Sequence, residues 1–156
     1  MLLLVLTGCN SSKYLTNGEE ILVKQSVELL NAKKVKDKSD VTYELTTLAR
    51  QKPNTNFLFL FPREYFYLAN NKAGDSTRVD RLLRKTFGQP PTYYNDSLSI
   101  SSTRSMQDYL RYQGYFEAEV YHEAERKKHQ VNLKYYADPG PQTRIKSVTY
   151  SSEQPA

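Results

Sequence analysis

The stretch YLRYQGYFEAEVYHEAERKKHQVNLKYYADPGP, residues 109–141, decides the fold. From Phe116 it alternates with period two. Phe116, Ala118, Val120, His122 and Ala124 share one side; Glu117, Glu119, Tyr121, Glu123 and Glu125 share the other. That pattern marks a strand with one dry and one wet face. Arg126 to His129 forms a polar turn, and a return strand places Val131, Leu133, Tyr135 and Ala137 inward with Asn132, Lys134 and Tyr136 outward. Lys134 opposite an acidic outer row is a favourable cross-strand arrangement. Asp138-Pro139-Gly140-Pro141 ends the pattern. On the other side, Gly114 can adopt a positive φ and turn a helix sharply into the first strand. Tyr115 and Phe116 then point to opposite sides, with Phe116 anchoring the sheet beneath the helices and Ala118 leaving room for them. Full burial of Phe116 is worth about 1.5–3 kcal/mol.

Working outward, a helix is expected from Ser101 or Ser102 to Gly114, carrying Met106, Tyr109 and Leu110 inward. A second follows Ser76 and Thr77. Its stripe is Val79, Leu82, Leu83 and Phe87, with Arg78, Arg81, Arg84 and Lys85 outside. Gly88 stands where a left-handed C-terminal residue belongs, and Pro90 and Pro91 prevent continuation. A third helix is capped by Ser39 and Asp40, shares Val41, Leu45, Leu48 and Ala49 on one face, and stops by Pro53. Before it, residues 20–30 alternate as a strand with Ile21, Val23, Val27 and Leu29 on one side; Gln25 interrupts the apolar side and Leu22 the polar one. Residues 143–151 restart as a strand with Ile145, Val148 and Tyr150. The sum is an α+β sandwich with one helix-covered sheet face.

Composition narrows the function. A chain of 156 residues suits one domain. The balance of 22 Lys+Arg against 17 Asp+Glu, net +5, is mild for a nucleic-acid domain. Hydrophobic residues at 38% and aromatics at 12% support a small core and exclude a disordered chain. No apolar run is long enough for a membrane-spanning helix. One Cys excludes an internal disulfide framework and a multi-Cys zinc site, and the two His stand far from other ligands, so no metal site is expected. No catalytic constellation is legible either. His122 reads as a satisfied residue on a strand's apolar side, His129 lies in a turn, and the Ser97–Ser105 stretch has no His near it in sequence. Gly74 and Gly88 are isolated, so no phosphate-cradling loop is present. The alternating Glu row is a solvated face, not an acid/base pair. The reading is of a non-enzyme without cofactor.

The N-terminus points to a location. Met1 to Leu6 is almost purely apolar, and Leu6-Thr7-Gly8-Cys9 resembles the lipobox of bacterial lipoproteins. The resemblance implies that residues 1–8 are a shortened signal peptide and that Cys9 takes a covalent lipid. Each buried methylene contributes about 0.8 kcal/mol, and stable anchoring needs more than one chain. Residues 9–19, polar and rich in small side chains, read as a tether. Lys33, Lys34, Lys36 and Lys38 make the next loop basic, either a solvated turn or a contact with anionic headgroups. Residues 57–68, FLFLFPREYFYL, hold six aromatics around Pro62. They are too short to span a bilayer. An irregular insertion packed on the sheet or a helix, an interfacial belt, and a partner-binding patch remain open readings.

Helix, Gly114-Tyr115-Phe116, alternating strand, polar turn, second strand and Pro-Gly break together resemble a POTRA domain. The string Tyr109 to Val120 carries the likeness most specifically, and Arg144 to Tyr150 is similar to the opening strand of a following POTRA. Arg50-Gln51-Lys52-Pro53-Asn54 and Asp80 to Lys85 resemble the N-terminal region of lipidated BamA/TamA-like outer-membrane assembly proteins of Bacteroidetes-type bacteria. The resemblance implies a β-α-α-β-β unit over residues 20–138, helices on one face of a small mixed sheet, an aromatic-rich insertion at 52–91, and a further strand at 143–156. It implies an outer-membrane interaction module, facing the periplasm or the cell surface, with a C-terminal β-barrel in the intact protein. Client outer-membrane polypeptide would add as a strand at the edge formed by Phe116, Glu117, Ala118, Glu119, Val120 and Tyr121. Outward Glu117, Glu119 and Glu123 would discourage indiscriminate pairing. An alternative is docking of accessory subunits of the assembly machine through Tyr65 and Tyr67. A lipoprotein ligand-binding domain would need a convergent polar site that the sequence does not display. Single-stranded nucleic acid is disfavoured by the Glu-rich strand.

Overall fold

The computed structural model describes residues 14–15, 18–32, 35–57, 61–69 and 77–150. Cys9, most of the tether, Lys33, Lys34 and the centre of the aromatic stretch lie outside these residues. In chain order the elements are β1 (Ile21–Leu29), α1 (Lys38–Thr47), β2 (Asn56–Phe57), β3 (Phe61–Pro62), α2 (Arg63–Ala69), α3 (Arg78–Phe87), α4 (Asp96–Tyr112), β4 (Glu119–Lys127) and β5 (Gln130–Asp138). The sheet order is β1-β5-β4, with β1 parallel and β4 antiparallel to the central β5. Helices α1 and α4 supply the cover of one sheet face. Leu45, Ala49, Met106 and Leu110 meet Leu22, Leu133, Tyr135 and Ala137 in a single buried cluster. This is the expected mixed α+β unit, with β2, β3, α2 and α3 inserted between its two helices.

The central strand reads as the sequence predicts: Val131, Leu133, Tyr135 and Ala137 are all buried. In β1 the strict alternation fails, for a local reason. The register to β5 shifts between Leu22 and Lys24, leaving Val23 on a bulge. A bulge reverses the parity of the residues before it. Leu22 is therefore buried and Val23 exposed, while Val27 and Leu29 pack against the core as expected. The interrupted alternation at Leu22 was the sequence's own trace of that bulge.

The helices depart from expectation mainly at their ends. α1 begins beyond Asp37, a residue at φ 55° whose side chain makes no cap. Ser39 and Asp40 lie inside the first turn, where the Ser39 hydroxyl donates to Asp40 Oδ1 at 3.3 Å. α4 starts earlier than Ser101, because Asn95 caps it through Ser97 N–H at 2.9 Å. Of the two serines expected to open this helix, Ser102 is buried and accepts from Arg50 N–H just past α1 at 3.0 Å; Ser99 is buried as well. Gln51 is buried against them, donating to Asn95 O at 2.7 Å and to Ser99 Oγ at 3.1 Å. Asn54 then clips the two ends of the insert together, donating to Pro90 O at 2.7 Å and accepting from Thr92 N–H at 2.8 Å. Gln51 and Asn54 thus explain structurally the Arg50–Asn54 string.

Among the described residues the insert packs chiefly on itself. Its principal packing is α2 against α3, with Phe66 touching Phe61, Tyr65 and Phe87 at ring distances of 6.3, 6.0 and 6.2 Å. α3 has the expected Thr77 start, reinforced by a capping box with Asp80. Its apolar stripe is only half used. Leu83 and Phe87 lie partly inside, whereas Val79 and Leu82 are 62% and 64% exposed, since the short α2 covers one side alone. Gly88 is not left-handed: its φ is −76°. Glycine is required there by proximity, as a Cβ would sit 2.5 Å from Arg84 O. Residues 143–150 form no strand in this structure, and Ile145, Val148 and Tyr150 are exposed. Among the described residues no strand lies beside them to complete their backbone pairing.

Candidate functional site

The sheet has two edges, and they are treated differently. β1 is covered at its start by the chain returning from the insert: Leu22 N–H donates to Thr92 O and Tyr94 N–H to Glu20 O, both at 2.8 Å. Tyr93 makes an isolated bridge to Ile21. β4 pairs with β5 along its whole length, Glu119 opposite Asp138 through Lys127 opposite Gln130, and no strand among the described residues occupies its other side. In such an edge strand every second residue directs its N–H and C=O outward. That leaves a row of main-chain groups for another extended segment.

The strand is held rigidly from behind. Gln107 of α4 donates to Ala118 O at 2.7 Å, fixing the entry into β4. His122, half-buried, meets Thr103 Oγ1 through Nδ1 at 3.2 Å and Asp96 Oδ1 through Nε2 at 3.4 Å. Asp96 also accepts from the Tyr94 hydroxyl at 2.7 Å; this bond first, and His122 second, hold its carboxyl below the usual aspartate range. The fold thus brings a histidine to the Ser/Thr-rich helix, which sequence distance hid. It does not make a nucleophile. The Thr103 hydroxyl donates to Ser99 O at 2.9 Å, so its proton belongs to the helix backbone and not to the imidazole. At the strand's far end Arg126 reaches Glu20 at 3.2 Å and lies over the Tyr94 ring.

The open face of the sheet is polar with an aromatic centre. Glu119, Tyr121, Glu123 and Glu125 are exposed, as the alternation requires. Tyr121 stacks on Tyr136 at 5.0 Å, and Lys134 caps Tyr136 while pairing with Glu28.

The entry corner corrects one expectation. Gly114 has the positive φ anticipated for it, +90°. The side chain that enters the core is Tyr115, 3% exposed, and not Phe116, 63% exposed. Tyr115 N–H bonds Leu110 O at 3.0 Å and Ala118 N–H bonds Tyr115 O at 3.1 Å. That turn postpones the strand to Glu119, so period-two reasoning does not apply to Phe116. Of the residues expected at the client edge, Glu119, Val120 and Tyr121 lie in β4; Phe116 and Glu117 lie in the turn before it, exposed; Ala118 is buried. Tyr65 and Tyr67 belong to α2 of the insert, Tyr65 edge-on to Tyr14 and Tyr67 beneath the Arg84 guanidinium. No sequence pattern marks Thr143 as part of the corner. Its N–H donates to Gly114 O at 2.8 Å, latching the departing chain.

Among the described residues no group of His, Cys, Asp and Glu is arranged to hold a metal, and no helix is long and apolar enough to cross a membrane. No curated protein and no solved structure matches the chain. Residues 69–140 match the POTRA family, described as surface antigen variable number repeat. The match takes in α3, α4, β4 and β5, and the structure adds β1 and α1 to complete the sandwich. POTRA domains are non-catalytic protein-interaction modules of outer-membrane assembly and secretion proteins. On the fold and this match together, residues 69–140 are similar to a POTRA domain.

Proposed function

We propose that this protein is the POTRA interaction module of an outer-membrane β-barrel assembly or translocation factor, and that it receives client polypeptide by strand addition along β4. The observation that carries the reading is the asymmetry of the sheet edges: β1 is partly covered by Thr92–Tyr94, whereas β4 has an unoccupied side among the described residues. Main-chain pairing supplies affinity with little demand on client sequence, which suits a module that handles many barrel strands. Glu119, Glu123 and Glu125 keep the same edge from pairing with a second copy. In this reading Cys9 carries the lipid that holds the module at the outer membrane, and a β-barrel belongs to the intact protein.

The test is site-specific photo-crosslinking in cells. A photoreactive residue at Tyr121 or Glu123 is expected to capture outer-membrane polypeptides in transit, and one at Tyr112, exposed on α4, is not. Equal capture from Tyr112 overturns edge pairing. Mass spectrometry of the mature N-terminus tests the anchor separately: an unmodified thiol at Cys9 overturns lipidation and leaves the strand-addition reading standing.

A further inference from the structure

Helix α3 shows solvent a face that the insert's own packing leaves unused. Arg78, Arg81, Leu82 and Lys85, at i, i+3, i+4 and i+7, line one open groove, with exposed Val79 alongside. The inner side is Leu83 and Phe87. Among the described residues, carboxylates are kept off the outer side. The described residues between 56 and 90 include only two, Glu64 and Asp80. Asp80 is turned back on Thr77 in the capping box, accepting from its N–H at 2.9 Å, and Glu64 is buried in α2. No ion pair among the described residues engages Arg78, Arg81 or Lys85. The face is therefore three cations set around two apolar side chains. The open sheet face, by contrast, mixes Glu119, Glu123 and Glu125 with Lys24 and Lys134.

We propose that the α3 face docks on the surface of an anionic lipid bilayer. Arg78, Arg81 and Lys85 meet headgroup phosphates, and Val79 and Leu82 enter the boundary between headgroups and acyl chains. The charge fits: a cationic rim, with no acid beside it among the described residues, is attracted by an anionic leaflet, and a short apolar strip enclosed by cations is what an interfacial helix presents. The surface is distinct from the β4 edge and does not depend on the client reading.

The experiment uses the full chain with Cys9→Ser, so that no acyl chain can anchor it, and flotation with vesicles. Binding is expected to vesicles of phosphatidylethanolamine with phosphatidylglycerol, to weaken with salt, and to be absent with phosphatidylcholine alone. R78Q/R81Q/K85Q is expected to lower the partition constant by about a hundredfold. V79S/L82S is expected to weaken binding while keeping its salt dependence. No side chain of α3 is fully buried, so both variants should keep the parent circular dichroism. Equal flotation with both vesicle types, or unchanged flotation of R78Q/R81Q/K85Q, overturns the proposal. So does capture of an acidic protein by this face without any vesicle binding, which would assign it to a protein partner.

Discussion

The sandwich built around β5 and the insert between Thr55 and Gln89 hide their side chains to very different degrees. In the sandwich, Val131, Leu133, Tyr135 and Ala137 are wholly buried beneath two helices. In the insert, α3 buries nothing completely and α2 buries only Glu64. One region is held by area removed from water. The other is held by ring edges around Phe66, a capping box at Thr77, and the Asn54 clip at its neck. The comparison teaches where each kind of function can reside. A rigid, fully packed sheet can present a fixed row of main-chain groups at β4. A lightly packed helical insert can spend its exposed residues on a surface contact without loss to the core.

The sharpest way to break this contrast is to truncate one side chain in each region. Tyr135→Ala removes a ring from the centre of the sheet and should destabilise the fold by about 3–5 kcal/mol, read by denaturant titration. Leu82→Ala should move the same transition by less than about 0.5 kcal/mol. Equal losses would mean that the insert is part of the main core. Tyr135 adds a control of its own: its hydroxyl is buried without a hydrogen-bond partner. Tyr135→Phe should therefore leave stability unchanged or raise it by about 1 kcal/mol.

A smaller effect separates two glycines. At Gly114 an added Cβ meets Thr143 O at 2.8 Å, and the backbone sits at φ +90°, a region that L side chains rarely adopt. Gly114→Ala should cost about 1–3 kcal/mol in the global transition and free the Gly114–Thr143 latch, visible as faster amide exchange at Thr143. Gly88 is crowded by Arg84 O but has an ordinary φ. Gly88→Ala should loosen the end of α3 and leave the global midpoint nearly unmoved. A global loss at Gly88 matching that at Gly114 would erase the distinction between the regions.

Legibility in the sequence follows the same division. β5 was readable because a central strand beneath helices has an unbroken inward row, and its four inward residues are all buried. The positive φ of Gly114 was readable for the same reason: a helix that must reverse into a strand needs it. Tyr115 and Phe116 were exchanged because the choice rests on a turn bond, Ala118 N–H to Tyr115 O, which no periodicity reports. Val79 and Leu82 looked like core because a helical stripe states which residues are apolar and not whether a partner is long enough to cover them. The edge residues Glu119 and Tyr121 were placed outward by alternation alone. That the start of β1 is covered while β4 has no strand beside it among the described residues depends on Thr92–Tyr94, far from both strands' patterns. The Thr103–His122–Asp96 contact joins α4 to β4 and could not be found by spacing.

The finest test concerns Glu64, the one buried residue among the described residues of the insert. Glu64 is 5% exposed, its Oε2 has no hydrogen-bond partner, and burial pushes its carboxyl up from the ordinary value of 4.5, partly opposed by a backbone hydrogen bond. The folded state then keeps this proton to higher pH than the unfolded chain. Stability is lost as pH rises from about 4.5 through the raised folded value, and the penalty is complete above it. Glu64→Gln removes the titration, so it should be neutral in acid and stabilising at pH 7, by about 1 kcal/mol. Where that gain appears is the informative part. If the insert opens on its own, amide exchange in α2 and α3 slows at pH 7 while the global midpoint stays still. If the whole chain melts as one unit, the midpoint rises too, and the two regions differ in packing but not in cooperativity.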